Sequence, residues 1–326
     1  MIRPLRLLVM LGLMLLGSAG LAQAQSCTFA GSDIVMEPVD VLGSAPTLGV
    51  GNINIKCAAF LGLLSSISMT VHLGEGGAGM NGGLRRMTNP QTATGLSYQL
   101  YQDAARSLVF GGSYGGPAGS PLVLSGASVL NLLTTTGTNV PIYARIPGGQ
   151  NSVMPHASVY YSSAFARNPL DVRVDYTTCN ILLLCVDRTG TFSFNVRARV
   201  PPDCRVLAGD LDFGTHGVLT QAVDATSRID VTCTAGSVFN VGLGYGIYGN
   251  SPSTRRMQDL AGNRVGYQLY QDAARSQVWG LLSDGLSATS AGSGAVQGIR
   301  VYGRVPAQTT PPPGAYSDTV VVTVTY

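Results

Sequence analysis

Tyr98-Gln99-Leu100-Tyr101-Gln102-Asp103-Ala104-Ala105-Arg106-Ser107 returns letter for letter as Tyr267 to Ser276. Each copy follows an Arg-Arg-Met triplet (Arg85 to Met87, Arg255 to Met257) and precedes an aromatic-glycine step (Phe110-Gly111, Trp279-Gly280). Ten identical residues about 170 positions apart signal duplication of a whole domain, because solenoid repeats run at roughly 20–50 residues. Around both copies the chain alternates apolar and polar residues. Thr191 to Val200, Val238 to Leu243 and Val320 to Tyr326 switch faces with the period of two of a half-buried strand. Turn-forming steps divide these runs, among them Asn81-Gly82-Gly83, Asp284-Gly285 and Pro311 to Gly314. The pattern predicts an all-β protein of antiparallel sandwiches. Asp103 to Arg106 is too short to nucleate a helix and reads as a loop between strands.

The chain opens with Arg3 and Arg6, an apolar run from Leu7 to Leu16 and then Ala22-Gln23-Ala24. This is the layout of a secretory signal peptide, residues 1–24, cut after Ala24. A membrane anchor is the rival, but about ten apolar residues are too few to span a bilayer. Removing Arg3 and Arg6 from 20 basic residues leaves 18 against 17 acidic, and a near-neutral chain carries no electrostatic footprint for nucleic acid.

Six cysteines fall into the local pairs Cys27/Cys57, Cys179/Cys185 and Cys204/Cys233. The first and third pairs have similar spacings at the start of each copy, so two equivalent disulfides are expected in an exported protein. Closing a loop of about 30 residues contributes on the order of 3–4 kcal/mol in the chain-entropy account. Cys179 and Cys185 are expected to pair locally; a metal site is the alternative, without a histidine near it. The predicted division is residues 25–178 for the first domain, 179–188 for a junction and 189–326 for the second. Thr191 to Val200 is placed in the second copy because it runs into Cys204. Nothing equivalent precedes Cys27, which would be the third residue after cleavage.

The copies differ by apolar insertions in the first. Cys57 to Val71 is 14 positions and Cys233 to Val241 is 8, and the excess contains Phe60, Leu61, Leu63 and Leu64. Gly111 to Tyr143 is 32 positions and Gly280 to Tyr302 is 22; the longer stretch holds Leu122, Val123, Leu124, Leu130, Leu132 and Leu133. A third excess surrounds Phe165. Insertions belong in surface loops, and surface loops are usually polar. Apolar ones predict either an exposed interaction patch or an extension of the core.

Enzyme chemistry finds little support. His72, His156 and His216 are scattered, and no Gly-x-Ser-x-Gly elbow occurs. Gly74-Glu75-Gly76-Gly77-Ala78-Gly79 matches a dinucleotide loop in form only, since no helical pattern follows. Asp103/Arg106 and Asp272/Arg275 read as residues that fix a loop. The expectation is a protein that is not an enzyme and takes no cofactor.

Three motifs carry a family resemblance. Tyr-x-Leu-Tyr-x-Asp before aromatic-Gly, Val301-Tyr302-Gly303-Arg304-Val305-Pro306-Ala307-Gln308, and Pro313-Gly314-Ala315-Tyr316-Ser317-Asp318-Thr319 leading into Val320 to Tyr326 resemble the spore coat protein U domain. The second copy matches from about Phe192 onward; the first is looser, with Tyr161-Ser162-Ser163 in place of Tyr316-Ser317-Asp318. Two such domains behind a signal peptide are similar to tip subunits of archaic, Csu-type chaperone–usher pili. The resemblance implies immunoglobulin-like sandwiches, the C-terminal one incomplete and finished by a donor strand. It implies as partners a periplasmic chaperone, an outer-membrane usher, an adjacent pilin subunit and an abiotic or host surface. Val320, Val322 and Val324 are expected to line the groove, with the apolar insertions as the adhesive loops. A chain without its own N-terminal donor strand would end the fibre. A structural coat component, and a lectin-like tip stacking sugars on Tyr160 and Tyr161, are the other readings.

Overall fold

The computed structural model describes residues 26–57, 64–112, 116–125, 137–153, 156–180 and 185–326, so the leader segment lies outside it. The described chain is all-β, strands joined by turns with short 3-10 turns such as Leu282–Asp284, and it folds around two cores.

The first core lies between two sheets. Neighbouring strands of one run Cys27–Gly31, Thr47–Cys57, Thr138–Ile146, Thr92–Tyr101, Leu84–Asn89, Tyr160–Phe165, Phe194–Arg199 and Ile34–Met36. The facing sheet runs Cys185–Gly190, Val172–Asn180, Leu64–Leu73 and Leu122–Ser125. Period-two alternation decides what each strand buries. In Tyr160–Phe165 the residues Tyr161, Ser163 and Phe165 turn inward while Tyr160, Ser162 and Ala164 face water.

One strand is not where the sequence pattern put it. Thr191 to Val200, expected to lead the second copy, packs in the first. Phe194–Arg199 pairs antiparallel with Tyr160–Phe165 and parallel with Ile34–Met36. Phe192, Phe194, Val196, Ala198 and Val200 are all buried in the first core. Burying each of the larger side chains stabilises that core by about 1.5–3 kcal/mol. The first sandwich is therefore closed by a strand that reaches it from just ahead of Cys204.

The second core is smaller. One sheet runs Cys204–Ala208, Val223–Cys233, Val296–Val305 and Gln268–Tyr270; the other runs Ala288–Ala291, Val238–Leu243 and Val322–Thr325. Trp279, the single tryptophan, is fully buried there and donates its indole N–H to the Val241 carbonyl at 2.8 Å.

The repeated decapeptide forms the same loop twice. The Asp103 carboxylate accepts the backbone N–H groups of Ser107 (3.0 Å) and Leu108 (2.7 Å), and Asp272 does the same for Ser276 (3.0 Å) and Gln277 (2.7 Å). These bonds hold Arg106 and Arg275 in the left-handed region, at φ 56° and 57°. Each guanidinium then lies over a tyrosine, Arg106 over Tyr143 and Arg275 over Tyr302. The backbone N–H of Leu108 and that of Gln277 are the first cause holding the two carboxyls below the usual carboxylate range. A depressed folded value stabilises the fold above the unfolded value near 3.9 and is lost as pH falls through the folded one. Asp103→Asn with Asp272→Asn is expected to flatten the stability–pH slope below about pH 4. Urea melts from neutral pH downward check this; an unaltered slope refutes it.

Candidate functional site

Strand register gathers the insertions of the first sandwich at one pole. Cys57 pairs with Cys27, Thr138 with Ile55, Asn180 with Leu64, Ser125 with Ser68, and Cys185 with Cys179. The described residues that flank 58–63, 126–136 and 181–184 therefore all lie at the same end. Phe60, Leu61, Leu63, Leu130, Leu132 and Leu133 belong to those segments and lie outside the described residues. Leu64 opens the strand Leu64–Leu73.

Two groups of predicted loop residues sit differently from expectation. Leu122–Ser125 is an added strand: Leu122 and Leu124 pack against the core, and Val123 is 63% exposed on the outer face. Phe165 is corrected outright. It is 1% exposed and stacks on Phe194, ring centroids 4.5 Å apart, because the pleat of Tyr160–Phe165 turns it inward. The extra length there goes into the turn that follows the strand.

Sequence reasoning missed the third apolar segment at this pole. Residues 181–184 read Ile-Leu-Leu-Leu, between cysteines joined as Cys179–Cys185. The sequence pattern makes the segment part of the junction 179–188. Its signal was four successive aliphatic residues between two cysteines six positions apart. The disulfides Cys27–Cys57 and Cys204–Cys233 form as expected, and no described cysteine is free.

The same pole of the second sandwich has short turns, Thr234 to Ser237 and Gly292 to Ala295, in the places of 58–63 and 126–136. These turns rest against the first sandwich. Ala157 donates its N–H to the Ala235 carbonyl at 2.9 Å, and the Asn151 amide bonds the Gly294 carbonyl. Arg205 pairs with Asp40 across the same joint at 3.4 Å.

A groove runs along the second sandwich between Leu211–Phe213 and Ser317–Val320, as adjoining cavities of about 420 and 710 Å³. Val320 and Val322 line it, Val324 packs on the same core, and Val321 points outward at 67% exposure. The first sandwich shows what such a position is like when a strand covers it. Ile34 and Met36 are 0% exposed and Val41 is 2% exposed there. Their counterparts at the same offset from the opening cysteine, Leu211, Phe213 and Val218, are half-buried, half-buried and 66% exposed. At the groove wall Tyr267 donates its hydroxyl to Asp318 at 2.6 Å. Burial, then this carboxylate, raises the Tyr267 pKa well above its ordinary value.

A shallow cavity of about 500 Å³ on the outer sheet face is lined by residues such as Thr70, Arg173, Asp175 and Asp187. His72 lies 3.3 Å from Asp175, and burial, opposed by that carboxylate, lowers its pKa. Among the described residues no cluster of three or more His, Cys, Asp or Glu side chains could hold a metal.

Two sandwiches with duplicated loops, one closed and one grooved, match a known domain twice. The Spore Coat Protein U domain profile covers residues 14–163 and 190–323. The chain belongs to the spore coat protein U domain family. It is 35% identical over 154 residues to Protein U of Myxococcus xanthus, an alignment covering 42% of this chain and 86% of that protein. A similar fold occurs in the crystal structure of the CsuC–CsuE chaperone–tip adhesion subunit pre-assembly complex from archaic chaperone–usher Csu pili of Acinetobacter baumannii. The match has a TM-score of 0.52 at 18% identity and covers 92% of this chain and 100% of that one. At that identity it is the fold that is shared.

Proposed function

We propose that this spore coat protein U-family chain is the tip adhesin of a chaperone–usher pilus, attaching cells to hydrophobic surfaces through the loop pole of its first sandwich. The observation that carries this is the contrast between equivalent poles. In the second sandwich the pole has short turns and is covered by the first sandwich; in the first it bears segments 58–63, 126–136 and 181–184, all rich in Leu. The functional units are residues 26–200 and 204–326, the first including its closing strand. Contact with a surface buries apolar side chains at about 25 cal/mol per Å². Many fibres on one cell turn weak contacts into avidity and biofilm attachment.

The groove of the second sandwich supports the fibre end of this reading. An apolar groove beside a sheet edge is an aggregation hazard, so the chain is exported through the periplasm with a chaperone in that groove. An outer-membrane usher then passes it to the next pilin, whose strand takes the chaperone's place by β-strand addition at the cell surface.

Leu132, Leu133, Leu182 and Leu183 replaced together by serine should reduce attachment to polystyrene at least tenfold while fibre number by electron microscopy is unchanged. Full attachment by the variant refutes the pole assignment. The family name supports a second reading, a coat component whose apolar pole contacts other subunits. On that reading the same variant disperses the assembly instead.

A further inference from the structure

The duplication places a pair of arginines on the outer face of each sandwich, and only one pair has its counterion. In the second sandwich Arg275, from the repeated loop, and Arg304, from Val296–Val305, share the Asp224 carboxylate. Arg304 donates Nε–H to it at 2.7 Å and Nη2–H at 2.9 Å, and Arg275 Nη1 lies 3.2 Å away. Strand register carries the comparison to the first sandwich. Asp224 stands opposite Arg304, and Leu48 stands opposite Arg145. Leu48 precedes Cys57 by the same nine positions by which Asp224 precedes Cys233. The first pair, Arg106 and Arg145, therefore has a leucine where the second has its carboxylate.

Arg106 keeps the pose of Arg275 without that partner. Its Nε–H goes to the Ala144 carbonyl at 3.1 Å, as that of Arg275 goes to Gly303 at 3.2 Å. Its Nη1–H goes to the Ala104 carbonyl at 3.0 Å, as that of Arg275 goes to Ala273 at 3.0 Å. Arg145 is exposed, and among the described residues its guanidinium has no hydrogen-bond or ion-pair partner. Leu48 and Val50 replace Asp224 and Thr226 and are 50% and 52% exposed. Val50 stands opposite Tyr143, the ring beneath the Arg106 guanidinium. Two cations without a carboxylate thus border two water-facing aliphatic side chains.

We propose that Arg106 and Arg145 bind the carboxylate of an amphipathic organic acid whose hydrocarbon part lies on Leu48 and Val50. The ligand's carboxylate does for this pair what Asp224 does for the other. Planar guanidinium forks suit a carboxylate, and charge-assisted bonds are the strong ones. Covering Leu48 and Val50 removes apolar area from water, which favours an acid with a hydrocarbon tail over acetate or an inorganic anion. The site is separate from the loop pole. Thr47–Cys57 reaches that pole at Cys57 and carries Leu48 near its other end. The proposal therefore stands independently of the adhesive reading.

The test is calorimetric titration of the full mature chain with hexanoate, which should bind one to one. Acetate should bind several-fold more weakly, and hexanol, which has no charge, should not bind. Arg145→Ala should weaken hexanoate binding by about tenfold, the ordinary cost of one charge-assisted partner. Leu48→Asp should abolish binding, because the strand then supplies its own carboxylate as Asp224 does. Asp224→Leu should open the equivalent pair and raise the stoichiometry from one to two. The variant with Leu132, Leu133, Leu182 and Leu183 replaced by serine should bind hexanoate as the native chain does. No binding by the native chain, or unchanged binding by Arg145→Ala or Leu48→Asp, overturns the proposal. Loss of binding in the serine variant also overturns it, by placing hexanoate at the loop pole. Equal binding of acetate and hexanoate overturns the part given to Leu48 and Val50, and a stoichiometry of one in Asp224→Leu overturns the equivalence of the two pairs.

Discussion

Phe194→Asp should unfold the first sandwich and leave the second intact. Phe194 is 3% exposed, stands opposite Phe165 in register and stacks on it at 4.5 Å. Truncating a buried phenylalanine costs about 3–5 kcal/mol. A carboxylate in its place adds the cost of burying a charge with no partner. The sum reaches the whole stability of an ordinary domain, about 5–15 kcal/mol. In a melt followed by both circular dichroism and Trp279 fluorescence, the transition of the first sandwich should vanish. The Trp279 transition should keep its midpoint. Arg197→Ala, which breaks an exposed pair with Asp33 at 3.0 Å, should move either transition by no more than about 1 kcal/mol. Loss of the Trp279 transition in Phe194→Asp, with the first sandwich unaffected, would return the strand to the second copy.

That experiment addresses what the sequence did not disclose. The alternation of Thr191 to Val200 was legible, and so was the face each residue presents. Period two names two faces and says nothing about which of two similar cores receives them. Proximity to Cys204 assigns the strand to the second copy of the sequence, while its apolar face fills the core of the first. Phe165 failed for another reason: comparing the lengths of two copies counts residues without saying which way they point. The alternation of Tyr161, Ser163 and Phe165 contained that direction. The disulfides and the structural part of the Asp103 loop could be read because each depends on local spacing. That the residues flanking 58–63, 126–136 and 181–184 meet at one end depends on pairing between distant strands, so no single stretch could display it.

The Arg-Arg-Met triplets mark the duplication in the sequence, and their buried arginines explain why they recur. Arg85 is 0% exposed and Arg255 1% exposed. Arg85 donates Nε–H to the Gly74 carbonyl at 2.8 Å and Nη2–H to those of Leu73 at 3.2 Å and Phe110 at 2.8 Å. Arg255 repeats the set on Gly244 at 2.8 Å, Leu243 at 2.9 Å and Trp279 at 2.7 Å. Nη1 differs, reaching the Gln99 side chain in one copy and the Pro252 carbonyl in the other. Burial lowers both arginine pKa values, that of Arg85 to about 10, so Arg85 stays charged at neutral pH.

Arg85 thus ties the strand Leu84–Asn89 of one sheet to the end of Leu64–Leu73 in the facing sheet, and Arg255, just outside a strand, reaches the end of Val238–Leu243 in the same way. Methionine at either position keeps most of the volume and strands three buried carbonyls. Charge-assisted bonds contribute about 1.5–3 kcal/mol each, and unpaired buried acceptors add desolvation. We expect Arg85→Met to destabilise the first sandwich, and Arg255→Met the second, by about 3–5 kcal/mol each. Lysine should rescue little, because one ammonium cannot reproduce the planar fork that meets three carbonyls. The two costs should add in the double variant, since the clamps share no partner. Denaturant melts with Trp279 as the reporter of the second sandwich measure both. A loss under about 1 kcal/mol in either methionine variant would show that the carbonyls find other donors and that the clamp is not what the duplication preserved.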